Sequence, residues 1–198
     1  MELYDLDECA EFAVELMSLF RDINPNVRAD VVGDVARTLP KCFDVSIVVS
    51  APHIDRSDPN RGRFETRRQV ICTAASLLGW DERDTSKFGR ANTEGYVRGK
   101  RVSIHIVNPE DHGAAQFWYS SSPEFLNAIN RRAAARGMQM RPTRLVYTDE
   151  HRKGARVVMA AFESDIFGAL DLDFIPATAR DTRSVDKVDP GLDPAEVG

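Results

Sequence analysis

Cysteine is scarce in this chain, and the three that occur, Cys9, Cys42 and Cys72, lie far apart with no CxxC spacing. An odd, dispersed set suits neither a disulfide framework nor a zinc site, and it points to a reducing compartment. The four histidines are scattered likewise. Long apolar runs are also missing. The longest, Ile47–Val49 and Val157–Phe162, are too short to cross a bilayer, so no membrane partner is expected. The opening MELYDLDE is acidic and reads as neither a secretory signal nor a transit peptide, so a cytoplasmic location is expected.

What is present is ordinary globular material. Apolar residues make up 42% and charged residues 29% of 198, which excludes a mainly disordered protein and allows one large domain or two subdomains. The net charge of −5 hides a strong asymmetry. Residues 1–55 carry 4 basic and 11 acidic side chains, whereas 56–101 carry 11 basic and 6 acidic. Residues 117–158 are again basic, with 8 against 3, and 181–198 are acidic, with 2 against 5. Two basic blocks within an acidic protein are either a phosphate-facing surface or solvated helix faces.

Helices and strands alternate along the chain. Residues 5–21 read as a helix capped by Asp5, with Cys9, Ala13, Leu16 and Phe20 on one face. Asp44–Ser50 alternates as a strand, 52–63 is a polar loop, and 66–78 reads as a second helix closed by Gly79. Gly95–Val107 reads as two strands around Gly99. Ser122 and Pro123 open a helix that runs to Arg136 and stops at Gly137. Arg144–Tyr147 and Arg156–Phe162 are candidate strands, and 164–170 is a short helix. From 181 to 198 prolines, glycine and charge predict a flexible tail. Strand alternation puts Val45, Ile47 and Val49 on one face and Asp44, Ser46 and Ser50 on the other. In RVSIHIV it separates Val102, Ile104 and Ile106 from Arg101, Ser103 and His105. If the two strands pair, Asp44, Ser46, Ser103 and His105 converge on one polar face.

The order Gly33-Asp34, Asp44-Val45-Ser46, RVSIHIV, FWYSSSPEFLNAINRRAAARGMQM, then ESDIFGALDLDFIPATAR resembles the palm and thumb of family X DNA polymerases. In that family the first strand reads roughly GS(x2)RG(x5)DxD, and a later RVDIR-like strand carries a third aspartate. A YFTGS-type turn opens the thumb helix, and a WIPPELR-like stretch ends the domain. The resemblance spans about residues 5–180, with Gly33 eleven positions before Asp44 as the family spacing requires. It implies an α/β fold of the α+β mixed-sheet kind. A nucleotidyltransferase palm over 1–116 would be followed by a thumb-like subdomain over 117–180. No helix-hairpin-helix pattern and no preceding lyase domain is expected, as in small viral members, and a viral or mobile-element gene acting in host cytoplasm fits that economy.

The departures are equally informative. The family holds two divalent ions with three carboxylates, which neutralise the triphosphate and activate the primer hydroxyl. Here only Asp44 is acidic, and Ser46 and Ser103 stand at the other two positions. A hydroxyl is neutral at pH 7, so two formal charges are gone. Asp34 replaces the serine that would donate to the triphosphate, and Phe43 replaces a phosphate-contact glycine, while Arg37 and Arg101 survive. Glu94 is a further carboxylate that a neighbouring strand can bring near.

The resemblance implies nucleotide contacts at Gly33, Asp34, Arg37, Arg101, Trp118, Tyr119, Ser120 and Ser121. It places nucleic-acid contacts in two clusters, Arg61, Arg63, Arg67 and Arg68, then Asn127, Asn130, Arg131, Arg132, Arg136, Arg141 and Arg144. The expected function is binding of DNA or nucleotide without efficient polymerisation, with Asp44 as a vestigial catalytic residue and the remaining metal candidate. No tightly bound cofactor is expected, and Mg²⁺ or Mn²⁺ enters only if the chain is instead an active nucleotidyltransferase with a rearranged site. A third possibility is a protein-interaction module that reuses the fold to dock a protein partner.

Overall fold

The computed structural model describes residues 3–23, 25–50, 92–148 and 156–189. The chain is mixed α/β and divides into two compact units between Pro109 and Glu110. The expected helix at 66–78, the loop at 52–63 and the last residues of the chain lie outside the described residues.

The first unit opens with β1 (Tyr4–Asp5) and α1 (Leu6–Ile23). Asp7 and Glu8 in the first turn of α1 and Arg21 in the last complement the helix dipole. The face expected from the sequence is the one that is buried: Cys9, Ala13, Leu16 and Phe20 are all 1% exposed or less. It packs against one side of a four-stranded sheet of order β2-β4-β6-β5, comprising β2 (Arg28–Val32), β4 (Val45–Ser50), β5 (Asn92–Val97) and β6 (Lys100–Val107). Ala29, Val45, Ile47, Val49, Val102, Ile104 and Ile106 supply the sheet side of that core. β4 and β6 run parallel, while β2 and β5 flank them antiparallel. Between β2 and β4 the chain makes α2 (Gly33–Ala36) and β3 (Lys41–Cys42), the latter paired with β1. The β5–β6 turn puts Arg98 and Gly99 at positive φ (50° and 77°), and the Tyr4 hydroxyl donates to the Gly99 carbonyl at 3.1 Å, tying the turn to the N-terminus.

The second unit holds α3 (His112–Tyr119), α4 (Pro123–Ala135), a sheet of β7 (Met138–Arg141), β8 (Arg144–Tyr147) and β9 (Val157–Val158), α5 (Glu163–Ala169) and α6 (Val185–Val188). Its start lies before the expected 116/117 boundary because α3 belongs to it: Ala114 and Phe117 sit in the second core with Phe125, Ile129, Leu145 and Phe167. α4 begins as predicted, with the Ser122 hydroxyl accepting from the Phe125 N–H at 3.2 Å and Pro123 at the first turn. It ends at Gly137, whose φ of +66° suits a residue without a side chain.

Three expectations need correction. The strand predicted for 156–162 stops at Val158, because the Ala160 carbonyl leaves the sheet to accept from the N–H groups of Gly113 and Ala114 at the start of α3. α5 starts at Glu163 because the Asp165 carboxylate accepts from the Phe162 N–H at 2.9 Å and closes its first turn. Residues 181–189 are not a flexible tail: Asp181 caps a 3₁₀ turn, and Val185 and Val188 are buried in the second core.

Candidate functional site

Asp44 stands just before β4, on the side of the sheet away from α1. Ser46 on β4 lies directly opposite Ser103 on β6, and parallel pairing brings both hydroxyls to the one carboxylate. Ser103 donates to one Asp44 oxygen at 2.6 Å and Ser46 to the other at 3.0 Å. Both serines are buried, at 3% and 6% exposure. Two neutral donors thus face a single carboxylate. On the same side His105 is buried, and desolvation lowers its imidazole to about 4 although the Glu94 carboxylate pulls the other way.

Gly33 follows β2 at φ +71°, and a Cβ there would approach the Ser46 Cβ to 3.2 Å. The start of α2 is therefore held close against Ser46, beside the loop that leads into β4, with no room for a side chain at this positive φ. Asp34 turns back on this loop: its carboxylate accepts the Phe43 N–H at 2.9 Å and lies 4.0 Å from the Arg37 guanidinium. Arg101 donates to Glu94 at 2.7 Å, and its guanidinium lies 4.4 Å from the centre of the Phe43 ring. The Glu94 hydrogen bond holds Arg101 more firmly protonated. Gly33, Asp34, Arg37, Asp44, Ser46, Arg101 and Ser103 are thus brought together, and Glu94 joins them because it pairs in register with Ser103.

The donor set does not fit a pair of divalent cations. Hard cations of this kind want several oxygen ligands with net negative charge. Asp44 is the one carboxylate in the serine cluster, and both of its oxygens already accept hydroxyl hydrogen bonds. Among the described residues, no group of three or more histidine, cysteine, aspartate or glutamate side chains is placed to hold a metal ion.

The second unit treats its predicted contact residues differently. Arg132 points inward, donating to the carbonyls of Asp171 at 2.7 Å, Leu170 at 2.9 Å and Val188 at 3.3 Å. Arg144 is doubly hydrogen-bonded to the buried Asp111, Arg136 pairs with Asp171 at 3.5 Å, and the Asn130 side chain accepts the Met140 N–H. Trp118 packs against the second core, and Tyr119 is half-buried. Ser120 is buried, and the Ser121 hydroxyl donates to the Phe117 carbonyl at 2.7 Å. Asn127, Arg131 and Arg141 remain exposed, with Arg141 donating to Gln139 at 3.2 Å. Arg61, Arg63, Arg67 and Arg68 lie outside the described residues.

Residue patterns alone miss the partners. Nothing in the sequence pattern pairs Asp111 with Arg144, or Glu163 with Arg180 at the opposite end of the ESDIFGALDLDFIPATAR stretch, yet these carboxylates hold the two arginines. No helix among the described residues is long and apolar enough to cross a membrane. No family model matches the chain, and no curated protein matches it.

Proposed function

We propose that this chain is a family X-like palm-and-thumb protein that binds nucleic acid or nucleotide without efficient polymerisation. The observation that supports this reading is the Asp44 carboxylate, closed by the hydroxyls of Ser46 and Ser103 at 3.0 and 2.6 Å, the three residues that the resemblance aligns with the family's three aspartates. Nucleotidyl transfer depends on electrostatic positioning of the phosphates by metal ions, and a single carboxylate with two hydroxyls lacks the charge to hold two of them. The exposed Arg131 and Arg141 suit phosphate contacts, which position a strand without reading its sequence.

The test is a titration of the full chain with short duplex and single-stranded DNA at low salt, beside a primer-extension assay with Mg²⁺ and with Mn²⁺. The expected result is salt-sensitive binding of unrelated sequences, with no extension. Robust extension that disappears in Asp44→Ala would establish the active enzyme instead. Absence of binding to either DNA would leave the protein-docking function.

A further inference from the structure

We infer that Asp34 bars phosphate anions from the Gly33–Asp44 site, so that this site is closed to nucleoside triphosphates. The inference rests on the reading above, which places a triphosphate seat at this turn, and narrows it to nucleic acid held elsewhere on the chain. A phosphate bound beside Gly33 needs N–H groups and cations directed at it. The Phe43 N–H is taken by one Asp34 oxygen at 2.9 Å. Arg37 faces the other at 4.0 Å. Arg101 is held by Glu94 at 2.7 Å and by the Phe43 ring. Carboxylates of the protein therefore already bond the Phe43 N–H and Arg101 and stand beside Arg37.

The balance of charge acts in the same direction. Asp34, Asp44 and Glu94 set three carboxylates against the two guanidiniums of Arg37 and Arg101. A Cβ on Gly33 would stand only 3.9 Å from an Asp44 oxygen, so an anion at the turn meets the Asp44 charge as well. With four residues, α2 is too short to offset that repulsion through its dipole. Phe43 links the two halves, its N–H bound to Asp34 and its ring covered by Arg101. A phosphate that takes the Phe43 N–H must displace the Asp34 carboxylate.

Calorimetric titration of the full chain with inorganic triphosphate and with dATP, in chelator, tests this. Wild type is expected to show no saturable binding into the millimolar range. Asp34→Asn keeps an oxygen to accept the Phe43 N–H while removing the charge, and it should gain at least about tenfold in affinity for both probes. Asp34→Ser should gain similarly, and Arg37→Ala added to either should cancel the gain. Thermal melts identify the folded variants, and the asparagine preserves the test if the serine variant does not fold. Micromolar binding by wild type that is lost in Arg37→Ala would overturn the inference, as would a folded Asp34→Asn with no gain. DNA binding measured on the same samples separates the two claims. DNA binding without a triphosphate gain sinks the Asp34 inference alone, whereas a triphosphate gain without DNA binding sinks the DNA-binding function and leaves the role of Asp34 intact.

Discussion

In the first unit, charged groups around Asp44 neutralise one another on one side of a sheet, whereas in the second unit arginines reach over long sequence separations to backbone carbonyls and aromatic rings. The contrast is sharpest between Arg101 and Arg180. Arg101 is about a third exposed, pairs with an exposed glutamate and stacks on one ring. Arg180 has no solvent-exposed side-chain surface; its guanidinium lies among Phe117, Phe167 and Phe174 at 5.0, 5.3 and 5.8 Å, donates to the Ile175 carbonyl, and pairs with Glu163. A positive charge on a sequence is thus either a surface group or a structural cross-link, and burial decides which. Breaking one partner at a time measures the difference.

The largest effect is expected at Glu163. Its removal leaves a buried cation in the second core without its paired carboxylate, and one nitrogen of Arg180 already has no hydrogen-bond partner among the described residues. Glu163→Ala should cost about 3–5 kcal/mol in urea unfolding. Glu94→Ala, which frees Arg101 at the surface, should stay within about 1 kcal/mol. Equal costs would show that burial does not separate the two arginines.

Acid should act next most strongly, and on the first unit. The His105 imidazole is held near 4 by burial, below its ordinary value of 6.5, so protonation favours the unfolded chain. Its contribution is complete above about pH 6.5 and is lost as pH falls towards 4, on the order of 3 kcal/mol. Unfolding curves between pH 7 and 4 should show this slope, and His105→Gln should flatten it. An unchanged slope in that variant would assign the acid sensitivity to other groups.

A smaller effect separates neighbours on α4. Arg132→Ala removes three hydrogen bonds to carbonyls and should cost about 2 kcal/mol. Arg131→Ala should cost within about 0.5 kcal/mol yet reduce the log–log salt slope of duplex binding by up to about 0.9. The reverse pattern would mean that Arg132, not Arg131, meets phosphate.

These assignments show what the sequence could and could not convey. α1 was legible because its apolar residues recur at helical spacing, and the approach of Ser46 to Ser103 followed from strand alternation once β4 and β6 were paired. The Gly99 turn and the Ser122-Pro123 helix start carry their own local chemistry. β2 was not foreseen, since Arg28 and Asp30 interrupt its apolar pattern and neutralise each other only once folded, at 2.7 Å. β7 carries a weak signal for a similar reason, since Gln139 and Arg141 interrupt its two methionines and leave no apolar run. The fate of Arg132, Arg144 and Arg180 depends on partners 17 to 56 positions away, and no local pattern encodes those distances. The residues around Asp44 were identifiable by type, but their mutual neutralisation depends on where side chains end, which alternation does not fix.

Modest effects are expected at the serines themselves, and they bear on why hydroxyls occupy these positions. Ser103→Ala and Ser46→Ala each remove one donor from a half-buried carboxylate, at a cost of about 1 kcal/mol. Ser103 should be the more costly of the two because its bond is the shorter, 2.6 against 3.0 Å. Replacing both by aspartate reverses the logic. Three carboxylates then crowd where one accepted two hydrogens, and like-charge repulsion should lower stability by about 1–3 kcal/mol without metal. Three convergent carboxylates should bind Mn²⁺ in the folded double variant better than in its unfolded chain, so its melting temperature should rise with Mn²⁺ concentration while that of wild type stays nearly constant. A wild-type melting temperature that rises equally would mean Asp44 already holds the ion despite its two hydrogen bonds. Asp34→Asn on the wild-type background, melted in the same Mn²⁺ series, should respond like wild type, because Asp34 is directed at the Phe43 N–H and Arg37 rather than at the serine cluster.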